Sequence, residues 1–174
     1  DKLRLIDDAN IVRTPLAYDK CFMSIAKHPT ALAVARACLG DKISMASQVG
    51  ILNKPASNNY VENWHRELQY QHFTSSRPLA VQTLLAVDEF TAENGGTFFL
   101  QGSHLFENFP SDEFVLKWQK QYEVPAGSLI MFDCMLYHRS APNFTQRDRD
   151  ATNNFYTLPI FAQQIDMASM LAGA

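Results

Sequence analysis

His65 and Glu67 stand two apart in the stretch NWHRELQYQH, which runs from Asn63 to His72. If that stretch is extended, strand alternation puts both side chains on one face, where an imidazole and a carboxylate can grip a single metal ion. Such a pair needs a third donor. His138, in FDCMLYHRSAPN, offers one from the end of a second strand candidate far downstream. Two histidines and one carboxylate form the facial donor set that holds non-haem iron(II) and leaves metal positions open for a co-substrate and oxygen. Glu67 is one methylene longer than the aspartate such pairs usually carry, and Asp133 near His138 is an alternative carboxylate. Arg149 follows in NFTQRDRDATNNF, with Arg147 as its rival two positions earlier. A guanidinium near an iron site is what a dicarboxylate co-substrate needs, because it pairs bidentately with a carboxylate.

The elements that must carry these residues read as two helices followed by many short strands. The first forty residues read as helical: TPLAYDKCFMSIAKH, then PTALAVARACLG, where Pro29 suits a first helical turn and Gly40 a C-terminal cap. KISMASQVGIL, WHRELQYQHF, LAVQTLLAVDEF and ATNNFYTLPIF read as strands, and KPASNNYVEN as a loop. TAENGGTFFL reads as a hairpin turning at Asn94-Gly95-Gly96. SDEFVLKWQKQ is a short helix candidate with Ser111 as N-cap. YEVPAGSLIMFDCMLYHRSA gives strand, turn and strand. These elements predict an α+β chain, mainly β, with a sandwich or barrel at its centre.

Composition narrows the functions. A chain of 174 residues can bury a sizeable core, and a hydrophobic fraction of 47% is ordinary for one globular unit. The net charge of -3 gives nucleic acid no electrostatic footing, and no apolar run reaches the length of a membrane span. Cys21, Cys38 and Cys134 are an odd count at wide spacing. They make neither a disulfide framework nor a zinc pattern, which favours a reducing, cytoplasmic setting. No secretory signal is visible, although the chain opens Asp-Lys-Leu without a methionine.

The ordered motifs resemble the phytanoyl-CoA dioxygenase family of iron(II)- and 2-oxoglutarate-dependent oxygenases. GILNKPA resembles the strand end before the metal loop, and NWHREL the His-x-Asp segment with Glu67 at the Asp position. VDEFTAENGGTFFLQGSH resembles the segment ending in Pro-Gly-Ser-His, with Gln101 replacing the proline. PAGSLIMFDCMLYHRSAPN resembles the Gly-Asp strand and distal histidine, with Ser128 at the Asp position. The resemblance runs from about Ala31 to Phe161. It implies a double-stranded β-helix, the cupin-like jelly roll, over residues 42–161, with residues 1–40 as a helical flank of one oxygenase domain. Relatives are usually longer at the N-terminus, so a truncated chain is expected.

By position, the resemblance implies iron(II) on His65, Glu67 and His138, and the distal carboxylate of 2-oxoglutarate on Arg149, with Lys54 and Ser140 nearby. Gln82 and Thr83 fall on a strand that lines the pocket in relatives, and Gln48 and Tyr70 complete the candidate substrate pocket. The implied reaction consumes O2 and hydroxylates an unactivated C–H bond of a small-molecule substrate, releasing succinate and CO2. Desaturation and cyclisation are variants set by substrate placement. Halogenating relatives replace the carboxylate by Gly or Ala, whereas Glu67 keeps a ligand there. No basic cluster suits a CoA phosphate, which favours a small metabolite. The rival expectation is a non-catalytic jelly-roll binding domain, supported by Glu67, Gln101 and Ser128. His72 and His104 read as non-ligands, Cys134 as a small buried hydrophobe and Trp118 as packing.

Overall fold

The computed structural model describes residues 10–56, 63–68, 74–163 and 165–171. Tyr70 and His72 lie outside the described residues. The N-terminal flank is not wholly helical. It opens with a short strand β1 (Ile11–Arg13), which pairs with the next long strand, and a 3-10 turn at Pro15–Ala17. Helices α1 (Cys21–Ala26) and α2 (Pro29–Leu39) follow. As expected, Pro29 occupies the first turn of α2, and Gly40 ends it at φ 91°, a left-handed value that favours glycine.

Strands β2 (Ser44–Asn53), β3 (Ala80–Ala86), β4 (Phe98–Leu100), β5 (Gln119–Gln121), β6 (Leu129–Asp133), β7 (His138–Arg139) and β8 (Arg149–Thr157) build two antiparallel sheets. The larger has the order β1-β2-β8-β3-β6 and the smaller β5-β4-β7. Neighbours that are distant in sequence, such as β2 beside β8, give the double-stranded β-helix that the family resemblance implied. Helix α3 (Asp112–Trp118) lies between β4 and β5, capped by the Ser111 side chain, which accepts from the Phe114 N–H. A last turn of helix, α4 (Met167–Leu171), closes the described chain.

Alternation along β3 and β8 assigns the two faces of the large sheet. Val81 and Tyr156 pack outward on Ala35 and Leu39 of α2. Leu84, Ala86, Phe132 and Ala151 pack inward with Phe90 and with Phe99 of the small sheet. Phe99 meets Phe132 edge-on, with ring centroids 4.9 Å apart. The inner face therefore also carries Gln82, Asn153 and Arg149, and the outer face Thr83 and Asn154.

Two expectations change. The Asn94-Gly95-Gly96 turn joins no hairpin, because β3 belongs to the large sheet and β4 to the small one. The segment 63–68 forms no named strand either; it makes one antiparallel bridge, His65 to His138.

Candidate metal centre

The single bridge brings the histidines together. The His65 N–H donates to the His138 carbonyl and the His138 N–H to the His65 carbonyl, each at 3.0 Å. The Glu67 N–H donates to the Cys134 carbonyl at 3.1 Å, fixing the next turn of the segment to the loop after β6. The imidazole centroids are 4.4 Å apart. One donor atom from each of His65, Glu67 and His138 lies within 4.8 Å of the other two. No other cluster of three such side chains occurs among the described residues.

Backbone carbonyls orient both rings. His65 Nδ1 donates to the Asn63 carbonyl at 2.8 Å, and His138 Nδ1 donates to the Leu136 carbonyl at 3.0 Å. A carbonyl can only accept, so in each neutral ring the proton sits on Nδ1 and Nε2 keeps its lone pair, the arrangement a metal-ligating histidine needs. His138 Nε2 lies 3.5 Å from Glu67 Oε1. The same Oε1 accepts from Gln82 Nε2 at 2.9 Å. Burial pushes the His65 imidazole down to about 4, helped by the neighbouring His138 ring and opposed by Asn63 and Glu67. Burial works to raise the Glu67 carboxyl, but His138, His65 and Gln82 outweigh it and hold the carboxyl below its ordinary range. Two imidazole nitrogens and a carboxylate oxygen at this spacing fit a divalent transition metal that takes nitrogen and oxygen ligands.

Arg66 points the other way, as alternation requires. It is buried, its guanidinium lies 4.0 Å from the centre of the Tyr137 ring, and it donates to the carbonyls of Ser103, Phe106 and Glu107. The residue between His65 and Glu67 thus fastens their segment to the turn at Ser103–Leu105.

A second polar cluster surrounds Arg149, the first residue of β8. Its Nη2 donates to the Gly95 carbonyl at 2.8 Å and to Ser140 Oγ at 2.9 Å. Its guanidinium lies over Phe90 at 4.4 Å, and its buried Nε has no partner among the described residues. Burial lowers the guanidinium to about 10, against the pull of Asp150 and Asp88. Asn53, the last residue of β2, donates to Gly95, Ser140 and Ala141. Gly95 belongs here for steric reasons. A Cβ on it would stand 2.1 Å from Asn53 Nδ2 and 2.5 Å from the Ala141 carbonyl, at φ +84°. Ser140 follows His138 by two residues, so an extended backbone puts their Cα atoms about 7 Å apart.

The sequence model of the phytanoyl-CoA dioxygenase (PhyH) family matches residues 5–151. This chain belongs to the phytanoyl-CoA dioxygenase family. It is 26% identical to the protein Rv1501 of Mycobacterium tuberculosis over 177 aligned positions, covering 100% of this chain and 65% of that protein. The chain thus spans 65% of the length of the first curated relatives it matches. Among solved structures, the fold is similar to EctD from S. alaskensis, a structure with 2-oxoglutarate and 5-hydroxyectoine (TM-score 0.72, 21% identity, 86% of this chain and 56% of that one). It is also similar to HygX from Streptomyces hygroscopicus with iron bound (TM-score 0.69, 18% identity, 93% and 76%).

The structure brings together His65, Glu67 and His138, the three residues for which the resemblance implied a metal. The remaining candidates sort by strand face. Gln82 points inward to Glu67. Thr83 points outward, where its hydroxyl accepts from Asn154. Gln48 is also on the outer side: its amide accepts from the Leu16 N–H and donates to the Phe22 carbonyl and Asn154. The structure therefore does not bring Gln48 and Thr83 to the metal donors, because one step along a strand reverses the face. Lys54, just past the end of β2, is exposed, and its neighbour Asn53 is the residue that bonds Ser140. Asp133 shares its register with outward-facing Val81, and its carboxylate accepts from the Met135 N–H, away from the donor cluster. Cys134 is buried among Ala46, Ala80, Met135 and Phe155, as a small hydrophobe. Sequence reasoning missed Asn53, Gly95 and Arg66. The Gly95-Gly96 pair was the signal for a special backbone, misassigned to a hairpin.

Proposed function

We propose that this chain is a non-haem iron(II)- and 2-oxoglutarate-dependent dioxygenase that hydroxylates an unactivated C–H bond of a small metabolite. The observation that carries the reading is the convergence of His65, Glu67 and His138 with both Nδ1 atoms committed to carbonyls and both Nε2 atoms left as donors. These three residues would hold iron(II). Bound iron(II), with 2-oxoglutarate and O2, supplies oxidation of a substrate C–H bond with release of succinate and CO2.

The protein's part is binding, orientation and exclusion of water. Arg149 would take the distal carboxylate of 2-oxoglutarate, with Ser140 beside it. The guanidinium is preset for that role, since Phe90, Gly95 and Ser140 hold it in place while its Nε remains unpartnered. No carboxylate hydrogen-bonds this buried cation among its described contacts, so an incoming carboxylate would complete it rather than displace a protein partner. Carboxylate–guanidinium pairing in such surroundings is strong because little water screens it. Phe99 and Phe132, packed against His138, shield one side of the metal donors from solvent.

The experiment is a screen of small metabolites for stimulated succinate formation by the iron-loaded protein. A substrate that raises succinate in step with a hydroxylated product supports the reading. No succinate formation with any substrate, with intact iron binding, would favour the non-catalytic binding domain.

A further inference from the structure

We propose that Gln82 is the positioning residue that allows a glutamate to serve as the carboxylate ligand at position 67. The inference rests on the iron-site reading above. Glutamate has one more side-chain torsion than aspartate, so its carboxylate sweeps a wider range unless something stops it. Gln82 Nε2 stops it, donating to Glu67 Oε1 at 2.9 Å while that oxygen lies 3.5 Å from His138 Nε2. The Gln82 side chain is itself immobilised. It is 2% exposed, on the inner face of a strand flanked on both sides, level with Phe132 of β6 and Phe155 of β8.

The amide also shows what it is held for. Its Oε1 is buried and has no partner among the described residues. Turning the amide over would give that oxygen a different neighbour, but it would then face the Glu67 carboxylate, acceptor against acceptor. The amide therefore keeps its N–H on Glu67 and leaves its carbonyl oxygen unsatisfied. A glutamine serving packing alone has no reason to leave a buried acceptor unpaired. An aspartate at position 67 would end one bond shorter, away from this amide. Gln82 and the extra methylene of Glu67 thus form one device, and each is of use chiefly in the presence of the other.

The test is a double-mutant cycle read by anaerobic iron(II) titration of the full chain, with Co(II) ligand-field spectra as a second readout. Gln82→Leu should weaken iron(II) binding about 10- to 100-fold, as loss of an orienting partner commonly does. Gln82→Glu, of the same size but with no N–H to donate, should weaken it at least as much, and stands in if Gln82→Leu fails to fold. Both should alter the Co(II) spectrum. In a Glu67→Asp background, Gln82→Leu should change iron affinity less than about threefold, because the contact is already lost. Unchanged affinity for Gln82→Leu in an iron-binding parent overturns the inference and leaves the iron site standing. Equal losses in both backgrounds overturn it too, since they mark a packing role. A parent that binds no iron(II) removes the site and this inference together.

Discussion

Arg149→Met separates a binding arginine from a structural one, because the two roles predict opposite patterns. In the folded protein the guanidinium is 2% exposed and makes two hydrogen bonds, to Gly95 and Ser140, plus a ring contact with Phe90. Hydrogen bonds to a charged group contribute about 1.5–3 kcal/mol each, and a desolvated cation–π contact about 1–2 kcal/mol. Burial works against these. It lowers the group to about 10, which at about 1.4 kcal/mol per unit is a penalty of roughly 3 kcal/mol for keeping the cation in place. The Gly95 carbonyl would still accept from Asn53 after the substitution. Methionine refills much of the apolar volume over Phe90 and the burial penalty offsets part of the lost contacts, so stability should fall by about 1–5 kcal/mol. Binding should respond differently. Breaking one side of a buried charged pair commonly costs about 2–5 kcal/mol, a loss of roughly 30- to 5000-fold in 2-oxoglutarate affinity. Iron(II) affinity should stay near the parent value. Urea unfolding and anaerobic calorimetric titration with 2-oxoglutarate measure the two quantities on one preparation. A destabilised variant that keeps the parent's 2-oxoglutarate affinity would refute the reasoning, and a larger binding loss for Arg147→Ala would move the role to Arg147.

Glu67→Gln keeps the shape and removes the charge, so iron(II) affinity and turnover should fall sharply, while Glu67→Asp should retain part of both. Parent-like iron binding by Glu67→Gln would remove Glu67 from the ligand set. Gly95→Ala should destabilise by more than about 2 kcal/mol in urea unfolding, combining left-handed strain of about 1–2 kcal/mol with the collision on Asn53. Gly102→Ala, at φ +82° with open space around it, should show the strain alone, and equal losses at both sites would contradict the packing argument. His65 titrates near 4 in the folded chain against 6.5 in an unfolded one. The unfolded chain therefore binds the extra proton first, and the metal-free protein should lose stability as pH falls from 6.5 towards 4, by up to about 3 kcal/mol. His65→Asn should flatten that slope; an unchanged slope would assign it to other groups.

The convergence of His65, Glu67 and His138 was legible because it depends on local facts. His65 and Glu67 needed only an extended backbone, and His138 needed only a strand end, which β7 supplies. Arg149 was legible for the same reason, as the first residue of β8. What stayed hidden was long-range. Asn94-Gly95-Gly96 has the composition of a hairpin turn, but whether its flanking strands pair is decided by sheet assignment, and β3 and β4 go to different sheets. The inward or outward sense of Gln48, Gln82 and Thr83 depends on register, and the bulge between Met45 and Ser47 shows how β2 shifts it. β1 escaped notice because three residues carry no period, and its pairing with β2 lies far along the chain.

Anaerobic titration of the metal-free protein with iron(II) and then 2-oxoglutarate tests the central claim most directly. The account predicts one iron per chain and a weak visible charge-transfer band that grows only when both are present, and that is lost in the His65→Ala and His138→Ala variants. Saturating iron and 2-oxoglutarate with no band, or a band that survives loss of either histidine, would contradict it.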